Sequence, residues 1–332
     1  MTNKIEVAVL HGGGYVGMWM IELLLRHPEV NLSCVTSRSG AGSPLHAVHP
    51  TLFGKTNLLF SAPEAVNYHD FDVVFITAEH KQGVFVVMEL LRQGYQGKII
   101  DLSADFRFDD AALYPKWFGY EHPAPDLLPL FQYGLVEVYE AQIRESTYVA
   151  NPGCFATALN LALYPLAKAL PQTHFHLTAM TGASGSGNKA SAGTHFPNRN
   201  GNMRTYKVLN HQHQPEILQT CGAETSFSFV PVSAPWTYGI WATIQFSAKV
   251  AKSQMDEWYA AAYDEKPGIR LWPSLPELLP VVGTPFCDLG TAAGDREGVV
   301  VVAIDNLWKG AASQAIQNMN LMTHLPVMTG LL

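Results

Sequence analysis

The run Gly12-Gly13-Gly14-Tyr15-Val16-Gly17 constrains this chain more than any other feature. It follows a short β-branched stretch, Ile5-Glu6-Val7-Ala8-Val9-Leu10. It precedes a helical pattern in which Met18, Ile21, Leu24 and Leu25 recur until His27-Pro28 ends it. Gly-x-Gly-x-x-Gly between a strand and a helix makes a tight turn and lets a ligand approach the backbone. It also aims unpaired helix N–H groups at a pyrophosphate. A dinucleotide site is therefore expected over Gly12, Gly13, Gly14, Tyr15, Val16 and Gly17, against the simpler reading of a plain tight turn.

The pattern continues downstream. Residues 31–36, 73–77 and 98–102 read as further strands, with a helix over 81–92 between the last two. Strands alternating with helices imply a parallel, doubly wound sheet, and apolar runs without alternation fit strands buried on both faces. Residues 114–129, rich in proline and aromatics, read as a loop excursion. Residues 154–169 read as an apolar helix after the turn Asn151-Pro152-Gly153. Beyond Phe175 strand-like runs dominate (177–181, 225–232, 239–250, 299–304), which points to a second, α+β domain with a mixed, largely antiparallel sheet. A last helix is expected from about 310 to 322.

Composition sets the remaining bounds. A chain of 332 residues, 48% hydrophobic and 15% charged, has enough apolar mass for two cores and is not disordered. Net charge is −7 and no basic stripe is visible, so nucleic acid is not an expected partner. No apolar run approaches membrane-spanning length. No basic and apolar leader precedes Ile5, so the cytosol is the expected compartment. Four scattered cysteines make neither a disulfide framework nor a metal spacing.

At the end of the second strand stands Thr36-Ser37-Arg38-Ser39. NAD sites usually carry an acid there for the ribose 2′-hydroxyl. Here Ser37 and Arg38 offer hydroxyls and a fork to a 2′-phosphate, so NADP is expected over NAD. Cys154 would occupy the first turn of its helix, where the helix N-terminus lowers a thiol's pKa. Buried inert cysteine is the competing reading. A nucleophilic thiol needs a proton partner. His211 and His213 in Asn210-His211-Gln212-His213-Gln214-Pro215-Glu216 are the candidates, placed on one side of an extended segment, with Glu216 available to orient one ring. No third metal ligand lies nearby in sequence, so acid/base work ranks above metal binding. Residues 181–187, Thr-Gly-Ala-Ser-Gly-Ser-Gly, can form an anion-binding nest or a flexible connection.

The motifs together resemble the N-acetyl-γ-glutamyl-phosphate reductase family, related to aspartate-semialdehyde dehydrogenase. The resemblance rests on Asn151-Pro152-Gly153-Cys154-Phe155-Ala156-Thr157-Ala158, Asp101-Leu102-Ser103-Ala104-Asp105-Phe106-Arg107, Gly182-Ala183-Ser184-Gly185-Ser186-Gly187, His211-Gln212-His213-Gln214-Pro215-Glu216-Ile217 and Asp305-Asn306-Leu307-Trp308-Lys309-Gly310. These occur in the family's order along the whole chain. The resemblance implies a Rossmann-type NADP-binding domain over 1–150, rejoined by a C-terminal helix at about 308–332, and a catalytic and oligomerisation domain over 151–307. It implies that Cys154 attacks an acyl phosphate, inorganic phosphate leaves, and NADPH reduces the thioester to an aldehyde. His213, with His211 second, would move the proton. Ser184, Gly185 and Asn306 would lie at the cofactor, and Arg107, Asn151, Ser186, Gly187 and Lys189 at the substrate. A homo-oligomer, dimer or tetramer, is implied. The sequence departs from the pattern at His11, where a first glycine is usual, so that Gly12 and Gly13 must make the turn. It departs again at Asn188, where arginine is common. Asn188 keeps open an aminoadipyl or carrier-linked acyl phosphate, and both departures keep open an inactive NADP-binding regulatory relative.

Overall fold

The computed structural model describes residues 4–332. The chain forms two units, one ending at Pro152 but completed by Ala311–Leu332, the other Gly153–Gly310.

In the first unit, β1 (Ile5–Leu10), β2 (Val30–Thr36), β3 (Phe60–Ser61), β4 (Val73–Ile76), β5 (Lys98–Asp101), β6 (Phe131–Tyr133) and β7 (Tyr148–Ala150) make one sheet in the order β3-β2-β1-β4-β5-β7-β6. Every pairing is parallel. Val7 to Leu10 and Val73 to Ile76 are buried along their whole length, as sheets covered on both faces require. The helix Tyr15–Arg26 buries Met20, Ile21, Leu23 and Leu24. Strand order reverses between β1 and β4, so the turn after β1 faces the crevice where doubly wound sheets bind ligands.

The C-terminal helix Ser313–Met322 belongs to this unit and is buried all round. Its polar side chains have defined tasks: Gln314 Nε2 and Asn318 Nδ2 donate to Gly134 O at 2.8 and 2.9 Å, and Asn320 Oδ1 meets His27 Nε2 at 3.0 Å. Gly134 is required there, because a Cβ would lie 2.5 Å from Asn318 Nδ2. The expected loop excursion proves partly ordered. It holds a short helix, Leu113–Phe118, and a cluster of Phe108, Tyr114 and Phe118 rings. Aromatic packing supplies the order that propensity does not.

In the second unit, β8 (His174–Thr181), β9 (Arg204–Thr205), β10 (Ser226–Ser233), β11 (Ile240–Ser247), β12 (Ile269–Leu271), β13 (Cys287–Ala293) and β14 (Glu297–Ile304) form a mixed sheet ordered β12-β13-β14-β11-β8-β10-β9. Only β8/β10 and β12/β13 are parallel. The helix Cys154–Ala169 packs against β11 and β14. It carries Pro165, which has no N–H for the Leu161 carbonyl one turn back. Tyr263 Oη donates to that carbonyl at 2.8 Å, and Tyr259 Oη to the next one, Ala162 O. Among the described residues no helix is long and apolar enough to cross a membrane.

Candidate active site

Cys154 is the first residue of its helix, capped by Gly153 in extended backbone. Glycine at the cap offers no side chain of its own and no acid lies in the first turn, so the thiol stands at the free N–H end of the helix dipole. The thiol is partly exposed, whereas Cys34 and Cys287 are buried in strands. Burial pushes the thiols of Cys34 and Cys221 up, away from reactivity. Gly310 faces Cys154: a Cβ at 310 would sit 2.8 Å from the Cys154 Cβ. Sequence reading missed this glycine, although its place in the Asp305–Gly310 motif was a signal.

Glu216 is fully buried and its Oε2 accepts the Gly153 N–H at 2.9 Å. Its other oxygen lies 3.9 Å from His213 Nε2, an ion-pair distance and not a hydrogen bond. His213 is pressed against the residue before the thiol, since a Cβ on Gly153 would fall 2.4 Å from Nε2. Gly153 is thus glycine because the imidazole occupies its side-chain space. The two histidines do not stand on an extended segment. They lie in the turn before the helix Gln214–Cys221, with His213 in right-handed helical backbone at its N-terminus. Their rings still meet, 4.6 Å between centroids.

His211 has a different task from His213. It is 2% exposed and edge-on to Phe155 and Phe229, and its Nδ1 accepts the His213 N–H at 3.2 Å. Burial, then the neighbouring His213, hold its pKa down to about 2. A neutral acceptor in an aromatic box shapes the turn. Tyr206, also missed in the sequence, packs its ring 5.8 Å from His211. Burial and the nearby Cys154 raise its hydroxyl pKa.

Ser184 and Asn306 are buried and bonded to each other, with Asn306 Nδ2 to Ser184 Oγ at 3.0 Å. Asn306 Oδ1 also accepts the Gly239 N–H at 2.6 Å. Their side chains therefore latch the glycine loop to the start of β11. Gly185, Ser186, Gly187 and Lys189 are exposed.

In the first unit the glycine turn has an unexpected maker. His11, not Gly12 or Gly13, takes the left-handed backbone, at φ 60. A side chain there costs about 1 kcal/mol or more. The His11 N–H is held by Thr36 Oγ1 at 3.0 Å. Gly17 is obligatory, because a Cβ would fall 2.4 Å from Gly12 O. Gly14 faces open space and caps the helix Tyr15–Arg26, which has no side-chain cap and no acid in its first turn. With Tyr15 and Val16 opening that helix, these residues fit a dinucleotide pyrophosphate. Ser37 is buried and its Oγ accepts the Gly40 N–H, so it shapes the loop. Arg38 is exposed, forms no hydrogen bond or ion pair among the described residues, and is close enough to depress the His11 pKa, after burial.

Arg107 and Asn151 are buried in the first unit and bonded internally. Arg107 Nε donates to Asn151 O at 2.8 Å and Nη2 to Leu102 O at 3.0 Å. Asn151 Oδ1 accepts from Asn318 Nδ2, and its Nδ2 donates to Ala311 O. Both brace backbone inside the first unit, at Leu102, Asn151 and Ala311.

Comparison with known proteins agrees with this division. Residues 6–146 match the model of the semialdehyde dehydrogenase NAD binding domain, and residues 154–306 that of the semialdehyde dehydrogenase dimerisation domain. The chain is 39% identical, over 98% of its length and 97% of the relative's, to a putative [LysW]-L-2-aminoadipate 6-phosphate reductase of Thermomicrobium roseum. It is 39% identical to an N-acetyl-gamma-glutamyl-phosphate reductase of Citrifermentans bemidjiense, over 98% of both chains. It is 37% identical to one of Pelotomaculum thermopropionicum, over 98% of this chain and 97% of the relative. The fold is similar to aspartate semialdehyde dehydrogenase II of Vibrio cholerae, with TM-score 0.75 at 17% identity over 97% of this chain and 99% of that one. The Candida albicans enzyme, solved with NADP, gives 0.70 at 14%, over 96% and 98%. The chain belongs to the semialdehyde dehydrogenase family, alongside the N-acetyl-γ-glutamyl-phosphate reductases.

Proposed function

We propose that this chain reduces N-acetyl-γ-glutamyl phosphate to N-acetylglutamate 5-semialdehyde with NADPH, a step of arginine biosynthesis, through a thioester on Cys154. The observation that carries this reading is the Cys154 thiol at a helix start whose preceding residue, Gly153, is held by a buried carboxylate and backed by an imidazole.

The chemistry follows from those groups. His213 takes the thiol proton, and the helix N-terminus stabilises the thiolate. The sulfur attacks the acyl carbon, a C–S bond forms, and the C–O bond to phosphorus breaks with its electron pair leaving on inorganic phosphate. NADPH, when bound, supplies the two-electron reduction of the thioester carbonyl. His213 gives its proton to the resulting oxyanion and takes it back as the C–S bond breaks and the aldehyde forms. Glu216, at 3.9 Å, stabilises the imidazolium while it carries that proton. His211 contributes by fixing the turn.

Gly12, Gly13, Gly14 and Gly17 with the start of the following helix would hold the pyrophosphate, and Arg38 the 2′-phosphate. Ser186, Gly187 and Lys189 form the exposed loop offered to the acyl phosphate, and Ser184, Gly185 and Asn306 set its base. Arg107 and Asn151 hold the backbone of the first unit together at Asn151 and Ala311. The match of residues 154–306 to a dimerisation domain supports a homo-oligomer.

One observation favours a second reading with the same chemistry. The Thermomicrobium relative is named for a carrier-linked aminoadipyl phosphate, and Asn188 stands where arginine is common in the first family. Reverse turnover separates the two. With N-acetylglutamate semialdehyde and NADP⁺, NADPH formation should require inorganic phosphate. Turnover without phosphate contradicts acyl-phosphate chemistry, and a preference for the carrier-linked aminoadipyl aldehyde establishes the second reading.

A further inference from the structure

His11, just past the end of β1, holds a backbone conformation that favours glycine. Its φ of 60 lies in the left-handed region, where a side chain is strained. Such strain persists only where the surroundings enforce it, and it gathers at binding sites. Here the end of β2 enforces it. The His11 N–H donates to Thr36 Oγ1 at 3.0 Å, and the Gly12 N–H donates to Thr36 O at 2.9 Å. The buried His49 fixes the same turn, with Nε2 donating to Gly12 O at 2.7 Å. Strand register agrees. Val9 stands opposite Val35 in the parallel pair, and the same two steps along each chain lead to His11 and Ser37. A Cβ on Gly13 would lie 3.7 Å from Ser37 Oγ. Arg38 follows directly, exposed and without a hydrogen bond or ion pair among the described residues. The His11 ring is half-buried, and among the described residues neither of its nitrogens has a hydrogen-bond partner. Burial, then the Arg38 guanidinium, holds its pKa below the usual histidine range.

We propose that His11 is a second ligand for the 2′-phosphate of NADPH, beside Arg38, and so sharpens the choice of NADP over NAD. This rests on the NADP reading of Ser37 and Arg38 above. The imidazole needs no charge for the task. A neutral ring keeps one N–H to donate to a phosphate oxygen, while the guanidinium supplies the permanent charge. A phosphate beside both groups also offsets the repulsion that Arg38 exerts on a protonated His11. The helix start at Gly14 and Tyr15 serves the pyrophosphate, which both dinucleotides carry. Only groups at the end of β2 meet the part in which they differ. Glycine at position 11 would relax the backbone and leave the phosphate one donor short.

Fluorescence titration of wild type, His11→Gly and His11→Asp with NADPH and with NADH tests this without turnover. His11→Gly should weaken NADPH binding about 10-fold, the loss of one hydrogen bond to a charged group, and change NADH binding by less than about 2-fold. Aspartate tolerates the left-handed backbone but sets an anion against the phosphate. His11→Asp should therefore weaken NADPH binding about 100-fold and NADH binding by no more than about 3-fold. Glycine is the residue this backbone favours, so the thermal midpoint of His11→Gly without cofactor should not fall below that of wild type. A purely structural role would lower that midpoint, or weaken both cofactors alike, and either result would overturn the proposal. An equal loss on NADPH and NADH would place His11 at the pyrophosphate. Wild type that prefers NADPH, with His11→Gly showing the same preference, overturns the proposal alone. Wild type that binds NADH as tightly as NADPH overturns the NADP reading, and the proposal falls with it.

Discussion

At the residue scale the two histidines that look equivalent in sequence are separated by their surroundings. His213 touches the turn that carries the thiol, while His211 is sealed among aromatic rings. A folded-state pKa near 2 means that His211 stays neutral in the native protein, whereas the unfolded chain takes up its proton below about pH 6.5. Stability from this group is therefore complete above that pH and lost as pH falls below it, by up to about 1.4 kcal/mol per pH unit. His211→Phe should flatten the dependence of unfolding free energy on pH between 6.5 and 4.5, as read by urea titration. An unchanged slope would mean that the ring is protonated in the fold. His11 is the other residue-scale lesson. A substitution of glycine suggests a moved turn, yet the side chain adopts the left-handed backbone itself and Thr36 holds it there.

At the element scale, local pattern was a good guide wherever burial is continuous along the chain. β1, β4, β5 and the helix Cys154–Ala169 lie within a residue or so of where periodicity places them, because each is built on a run of buried apolar residues. The helices Val136–Glu145 and Lys252–Tyr263 and the strand β13 were not legible. The first two are polar on one face and are held by tertiary partners. β13, Cys-Asp-Leu-Gly-Thr-Ala-Ala, contains an aspartate and a glycine that its neighbours alone explain: Arg270 pairs with Asp288, and a Cβ at Gly290 would strike Ser274 O at 2.3 Å. In the candidate site the thiol and its partners were visible as motifs. The internal bonding of Arg107, Asn151 and Asn306 and the close approach of Gly310 exist only in three dimensions. Gly310→Ala places a methyl 2.8 Å from the Cys154 Cβ. It should lower kcat at least about 10-fold, since sub-ångström misplacement of reacting groups is costly, while NADPH affinity stays within about 2-fold. Steady-state rates and fluorescence titration read the two quantities, and a loss confined to NADPH affinity would place Gly310 at the cofactor instead.

At the scale of the whole molecule, the first unit is discontinuous: its last helix follows the whole of the second unit. Periodicity could place that helix but not its address, which depends on Gln314 and Asn318 reaching Gly134 and on Asn320 reaching His27. Truncation after Gly310 removes a fully buried helix from the first unit and leaves residues 153–310 whole. Hydrogen exchange on the truncated chain should show protection lost across β1, β4 and β5 and kept in β8, β11 and β14. Protection lost in both sets would mean that the units do not fold separately.

If Cys154 carries the acyl group as a thioester, that adduct accumulates when no hydride donor is present. Intact and peptide mass spectrometry after mixing the protein with freshly generated N-acetyl-γ-glutamyl phosphate, in the absence of NADPH, measures this directly. The predicted result is a single N-acetylglutamyl adduct on the peptide containing Cys154, released on adding NADPH and absent from Cys154→Ala. An unmodified Cys154 in protein that still turns over, or an adduct on any other residue, would contradict it.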